Sequence, residues 1–132
     1  MSRRTASCAC GQLSLDCEGE PLRISICHCL ACQRRTGSAF GYQVRYPEAA
    51  VAIRGRFSGY AQAGDSGNVA RFGFCPQCGS TVFWRPDALP GIVLVAAGAF
   101  ADPAFPPPPT VSVYGDRRHA WVALPPGCEA LD

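Results

Sequence analysis

The chain has 132 residues, 48% apolar and 17% charged, enough to bury a core and too apolar for a disordered segment. All twelve basic residues are arginine, which excludes a P-loop lysine, a lysine Schiff base and a pyridoxal-phosphate anchor. The formal charge of +2 is too small to argue for nucleic acid as a partner, which is not expected, and no apolar run reaches the ~18 residues of a membrane span.

The start, MSRRTASCACG, is basic but has no apolar stretch behind it, so no export signal is expected and the cytoplasm is the expected compartment. Leu13 and Leu15 alternate with Gln12, Ser14 and Asp16 as a first strand. Leu22, Ile24 and Ile26 repeat the pattern and lead into Cys27. A single helical turn is expected near Leu30 to Arg35, with Gly37 able to end it. Further strands are expected at Phe40–Val44, Val51–Ile53, Phe57–Tyr60, Val69–Phe74, Thr81–Trp84, Ile92–Ala97, Val111–Tyr114 and Trp121–Leu124. Asp16, Glu18 and Glu20 read as a solvated edge or loop, and Pro106 to Pro109 as a rigid connection. The expectation is one mainly β domain over residues 1–132, with short antiparallel strands in packed sheets or a partly closed barrel.

Nine cysteines dominate the chemistry. Seven cluster as Cys8-x-Cys10, Cys27-x-Cys29-x2-Cys32 and Cys75-x2-Cys78, while Cys17 and Cys128 stand alone. A disulfide framework spreads an even number of cysteines, whereas tight clusters suit a tetrahedral ion such as zinc. Cys75-Pro-Gln-Cys78-Gly79 reads as a knuckle between two hairpin arms, one with Phe72 and Phe74, the other with Val82 and Trp84. Its partners are either Cys8 and Cys10 or Cys29 and Cys32. Spacing alone leaves both open, and economy favours the first, which uses all seven thiols. That pairing leaves Cys27, Cys29 and Cys32 as an open set, unless Cys17, Cys128, His28 or His119 closes it. Zinc on four thiolates adds −2 and zinc on three adds −1, which turns the formal +2 negative.

On these motifs the sequence resembles the glutathione-dependent formaldehyde-activating enzymes, whose fold is the Mss4-like β-fold. The features are Cys8-Ala9-Cys10-Gly11, the run from Cys27 to Ser38, Gly55, Tyr60, Ser66-Gly67, Phe74 to Ser80, and Trp121. The resemblance implies two zinc ions per chain: a structural one on Cys8, Cys10, Cys75 and Cys78, and an open, catalytic one on Cys27, Cys29 and Cys32. It implies a carbon–sulfur lyase that joins glutathione, or a related small thiol, to formaldehyde or another small aldehyde. Relatives often have a His after the proline run, where this chain reads Thr110-Val111-Ser112-Val113.

Glutathione carries two carboxylates, and Arg34 and Arg35 follow Cys32 directly. Their planar forks suit carboxylates, and Thr36, Gly37 and Ser38 offer hydroxyl and backbone donors. A metal with an open position would lower the pKa of an incoming thiol. Two other readings compete: a zinc-stabilised protein- or nucleic-acid-binding module without catalysis, and a redox or metal-handling protein. The open position discriminates, since a binding module needs only closed sites, and the modest clustering of arginine, in no run longer than two, favours the enzyme.

Overall fold

A computed structural model describes residues 2–131. Eleven strands and one short α-helix follow one another: β1 (Arg3–Ser7), β2 (Ser14–Glu18), β3 (Arg23–Cys27), α1 (Leu30–Thr36), β4 (Gly41–Pro47), β5 (Val51–Arg54), β6 (Ser58–Ala63), β7 (Val69–Phe74), β8 (Thr81–Pro86), β9 (Ile92–Ala96), β10 (Val111–Val113) and β11 (Glu129–Leu131). The architecture is mainly β, with short strands packed in sheets. An eight-stranded sheet runs β11-β10-β3-β4-β9-β8-β7-β6, and a three-stranded sheet runs β1-β2-β5. Pairing is antiparallel except where β10 lies parallel to β3 and β11. Among the described residues no helix is long and apolar enough to cross a membrane.

The core lies between the two sheets. Leu15 and Cys17 of β2 meet Ile24, Val44, Tyr46, Phe83, Val93 and Val95 of the larger sheet, all buried. Strand alternation then sends Cys27, Gly41, Gln43, Arg45 and Trp84 to the opposite face. One face of the large sheet is therefore structural, and the other is free to carry a site.

Two strands were not expected from the sequence, and two expectations need correction. β1 carries almost no apolar alternation; it is a strand because residues from Arg3 to Ser7 pair with residues from Glu18 back to Ser14. β11 is an exposed edge strand held by β10. Trp121–Leu124 is not a strand: the Val122 amide closes a turn onto the His119 carbonyl at 3.0 Å, and Pro125 and Pro126 lack the amides a ladder needs. Asp16 is buried, accepting from Thr5 Oγ1 at 2.7 Å and pairing with Arg54. The Thr5 hydrogen bond, with help from Arg54, holds its carboxyl below the usual range.

The β7–β8 hairpin bulges at Gly73/Phe74, and there the backbone runs against the Phe83 ring. A Cβ at position 73 would lie 2.3 Å from that ring, which is 1% exposed and has nowhere to go. Gly73→Ala is expected to cost about 1–3 kcal/mol by overpacking. Thermal melts of the metal-loaded protein check this; an unchanged midpoint would mean that the hairpin gives way freely.

Candidate metal centres and thiol cavity

The β1–β2 loop and the β7–β8 turn meet at four sulfurs. In the loop, the Cys8 amide donates to the Leu13 carbonyl at 2.9 Å and the Leu13 amide approaches Cys8 Sγ at 3.3 Å. In the turn, the Gly79 amide donates to the Cys75 carbonyl at 2.8 Å, and Gly79 takes the positive φ of 83° that such a knuckle requires. Cys10 Sγ lies 3.7 Å from both Cys8 Sγ and Cys75 Sγ. The ligand atoms of Cys8, Cys10, Cys75 and Cys78 all fall within 4.8 Å of one another. Donors point at this group: Gln12 Nε2 at 2.9 Å from Cys75 Sγ, with the amides of Gln77 and Cys78 at 3.4 and 3.5 Å. Hydrogen bonds from the Ser80 hydroxyl and amide bring Cys78 down to about 5. Four sulfurs within contact distance, met by N–H donors, are the donor set of a closed thiophilic site.

The second group is local in sequence. Cys27 ends β3, Cys29 is the N-cap of α1, and Cys32 lies one turn into the helix, its amide 3.3 Å from Cys29 Sγ. Their three sulfurs also fall within 4.8 Å. Hydrogen bonds from Cys27 and Cys32 push Cys29 well down, while hydrogen bonding with Cys29 and Cys32 and burial push Cys27 up. Three thiols sharing protons in this way suit a cation in their midst. Among the described residues no fourth His, Cys, Asp or Glu joins them. His28 is fully buried on the other side of β3, its Nε2 3.1 Å from Ser112 Oγ. His119 Nε2 meets Gln33 Oε1 at 2.9 Å, and Cys17 lies in the core, where burial raises it to about 12. Of the two pairings left open by spacing, the structure brings Cys75 and Cys78 together with Cys8 and Cys10, and leaves Cys27, Cys29 and Cys32 as a separate group.

The three-cysteine group opens into a cavity of about 160 Å³ lined by Cys27, Cys29, Cys32, Arg35, Gln43 and Trp84, with Gly64 and Asn68 from the β6–β7 tip. It shares Arg35, Gln62 and Phe72 with an outer cavity of about 300 Å³ that also touches Arg34 and Tyr60. Arg35 stands where the two cavities meet: its guanidinium lies over the adjoining Trp84 and Phe72 rings, 4.2 and 5.1 Å from their centroids, with Nη2 3.9 Å from Cys32 Sγ. Gly41 makes room for this, because a Cβ there would meet Arg35 Nη2 at 3.1 Å and Cys32 Sγ at 3.2 Å. Asp65 fastens the hairpin tip, its Oδ2 accepting the Leu30 amide at 3.0 Å and pairing with Arg117 Nε at 3.1 Å.

Thr36, Gly37 and Ser38 line neither cavity. They finish α1: Gly37 is left-handed and donates to the Gln33 carbonyl at 2.9 Å, and Thr36 Oγ1 donates to the Cys32 carbonyl at 2.9 Å. Sequence reasoning missed Gln43 and used Phe72 and Trp84 only as hairpin arms. The polar Gln43 and Arg45 alternating with Val44 and Tyr46 were the available signal.

Fold and sites together define a mainly β protein with one closed four-cysteine group and one open three-cysteine group. Residues 3–117 match the family model described as glutathione-dependent formaldehyde-activating enzyme, and the chain belongs to that family. Its family-level function is that of a lyase acting on an adduct of glutathione and formaldehyde. Among solved structures, one of a Rhodobacter sphaeroides protein is similar at TM-score 0.59 and 18% identity, over 78% of this chain and 91% of that one, which shows the fold alone. No curated protein matches the chain.

Proposed function

We propose that this protein joins glutathione, or a closely related small thiol, to formaldehyde in the cavity beside Cys27, Cys29 and Cys32. The observation that carries this is the open group: three sulfurs within 4.8 Å, no fourth protein ligand among the described residues, and a cavity on the free side. Both cysteine groups fit zinc, one structural and one at the cavity. At the open group the ion would supply a vacant coordination position and lower the pKa of the bound thiol.

The chain's own residues do the rest. Arg35, held over Cys32 by Trp84 and Phe72, offsets negative charge among the sulfurs. The inner cavity admits a sulfur and a small aldehyde, and holding the two together is most of the task, because the uncatalysed addition is already easy. In the reaction the S–H proton ends on the aldehyde oxygen, the C=O π bond opens and an S–C bond forms. Arg34, exposed at the outer cavity, can take a substrate carboxylate as a planar fork. All nine cysteines are free, which supports a reducing compartment, the cytoplasm, as the place of work.

The test is native mass spectrometry of the zinc-loaded protein titrated with glutathione, followed by aldehyde turnover. Two zinc ions and one glutathione per chain are expected. Arg34→Ala should weaken glutathione binding about tenfold, as loss of one charge-assisted hydrogen bond does, with zinc content unchanged. Two zinc ions with no thiol adduct would overturn the proposal.

A further inference from the structure

The site face of β3 and β4 continues past the cavity and carries an arrangement that the thiol chemistry does not use. Arg23 and Arg45 are direct cross-strand partners, and Gln43 lies two residues before Arg45 on the same face. Like charges placed directly opposite in a sheet destabilise it. Among the described residues neither arginine has an ion-pair partner. The Nε of each is buried with no hydrogen bond. Burial, and then the charge of Arg23, both press the Arg45 guanidinium below its usual value. Gln43 is 9% exposed, lines the inner cavity, and its Oε1 is buried without a partner.

We propose that Gln43, Arg45 and Arg23 form a binding strip for the peptide amide and terminal carboxylate of an extended thiol whose sulfur sits at Cys27, Cys29 and Cys32. This rests on the thiol reading above. Read outward from the sulfurs, the strip offers one unpaired acceptor and then two unpaired cations. The matching ligand offers, in the same order, a thiol, an amide N–H and a carboxylate. That is the cysteinyl-glycine end of a glutathione-type tripeptide. Arg45 lies four residues from Gly41, about 13 Å along an extended strand. The cysteinyl-glycine end spans roughly 7 Å when extended, and the long arginine side chains cover the remainder. Two guanidiniums side by side suit one carboxylate through parallel N–H···O bonds. Arg34, at the outer cavity, is then left for the substrate's other carboxylate.

The experiment measures the affinity of the zinc-loaded full chain for glutathione and for its glycine carboxamide, which differs only in the lost terminal charge. The wild type should bind glutathione at least about tenfold more tightly than the carboxamide. Arg45→Met should erase that difference while leaving carboxamide affinity and zinc content unchanged. Its melting temperature should hold or rise, because the variant removes a like-charge contact. Arg23→Met should repeat the result, and Gln43→Leu should weaken both ligands alike. Equal binding of the two ligands by the wild type, or an Arg45→Met loss shared by both, overturns the strip and leaves the thiol reading standing. If neither ligand binds, the thiol reading falls and the strip with it.

Discussion

Cys29→Ala is expected to give a folded protein that holds one metal ion instead of two and forms no hydroxymethyl thioether above the uncatalysed rate. Cys29 is the residue on which the open group is built: its sulfur receives the Cys32 amide at 3.3 Å and hydrogen bonds from both neighbouring thiols. Removing it leaves two sulfurs, too few for a stable site in a cavity that contributes no replacement ligand. Losing even an outer partner of a metal ligand costs about 10–100-fold in affinity or activity, so losing the ligand itself should cost more. The structural cost is local, because Cys29 caps a helix of seven residues none of which is buried. Native mass spectrometry reads the metal count, and NMR of the adduct reads the rate. A variant that keeps full activity would remove the three-cysteine group from the reaction.

Cys75→Ala is expected to do the opposite, damaging the fold before the chemistry. Cys75 is fully buried, and its sulfur takes three N–H contacts at 2.9–3.5 Å. A closed tetrathiolate site contributes folding energy outright, about 10–16 kcal/mol in isolated zinc-finger peptides. A domain of this size shifts its midpoint by roughly 4 °C per kcal/mol, so losing only ~5 kcal/mol means a drop of about 20 °C. A strong chelator should reproduce the effect on the native chain. Melts by circular dichroism check both; a midpoint unmoved by chelation would show that the two sheets stand without the four-cysteine group.

The cysteine clusters, most strands, the one helix and its Gly37 stop could be read from spacing and alternation, because these are local signals. The partner of Cys75 and Cys78 could not, since it depends on how the β1–β2 loop meets the β7–β8 turn. Strand β1 was hidden for a related reason: its pairing, not its own pattern, makes it a strand. Gln43 and Trp84 were visible as strand residues, but which face of the sheet carries a site is settled only by the packing of β1, β2 and β5 on the other. Arg35 was singled out correctly as a neighbour of Cys32. The pair of adjoining rings it lies over belongs to strands far away in sequence.

The two cysteine groups also differ in how far apart along the chain their members lie. Cys27, Cys29 and Cys32 fall within a single turn of chain, so an unfolded molecule can already capture a metal there. An ion that binds both states adds little to the balance between them. The other group has no counterpart before folding, because Cys10 and Cys75 are 65 residues apart and meet only when two sheets have formed. With metal in both groups, its supply would act as a checkpoint on maturation rather than on turnover. Under scarcity, newly made chains would load the reactive group first and stall for want of the clasp, so shortage would show as lost protein before it showed as slow enzyme.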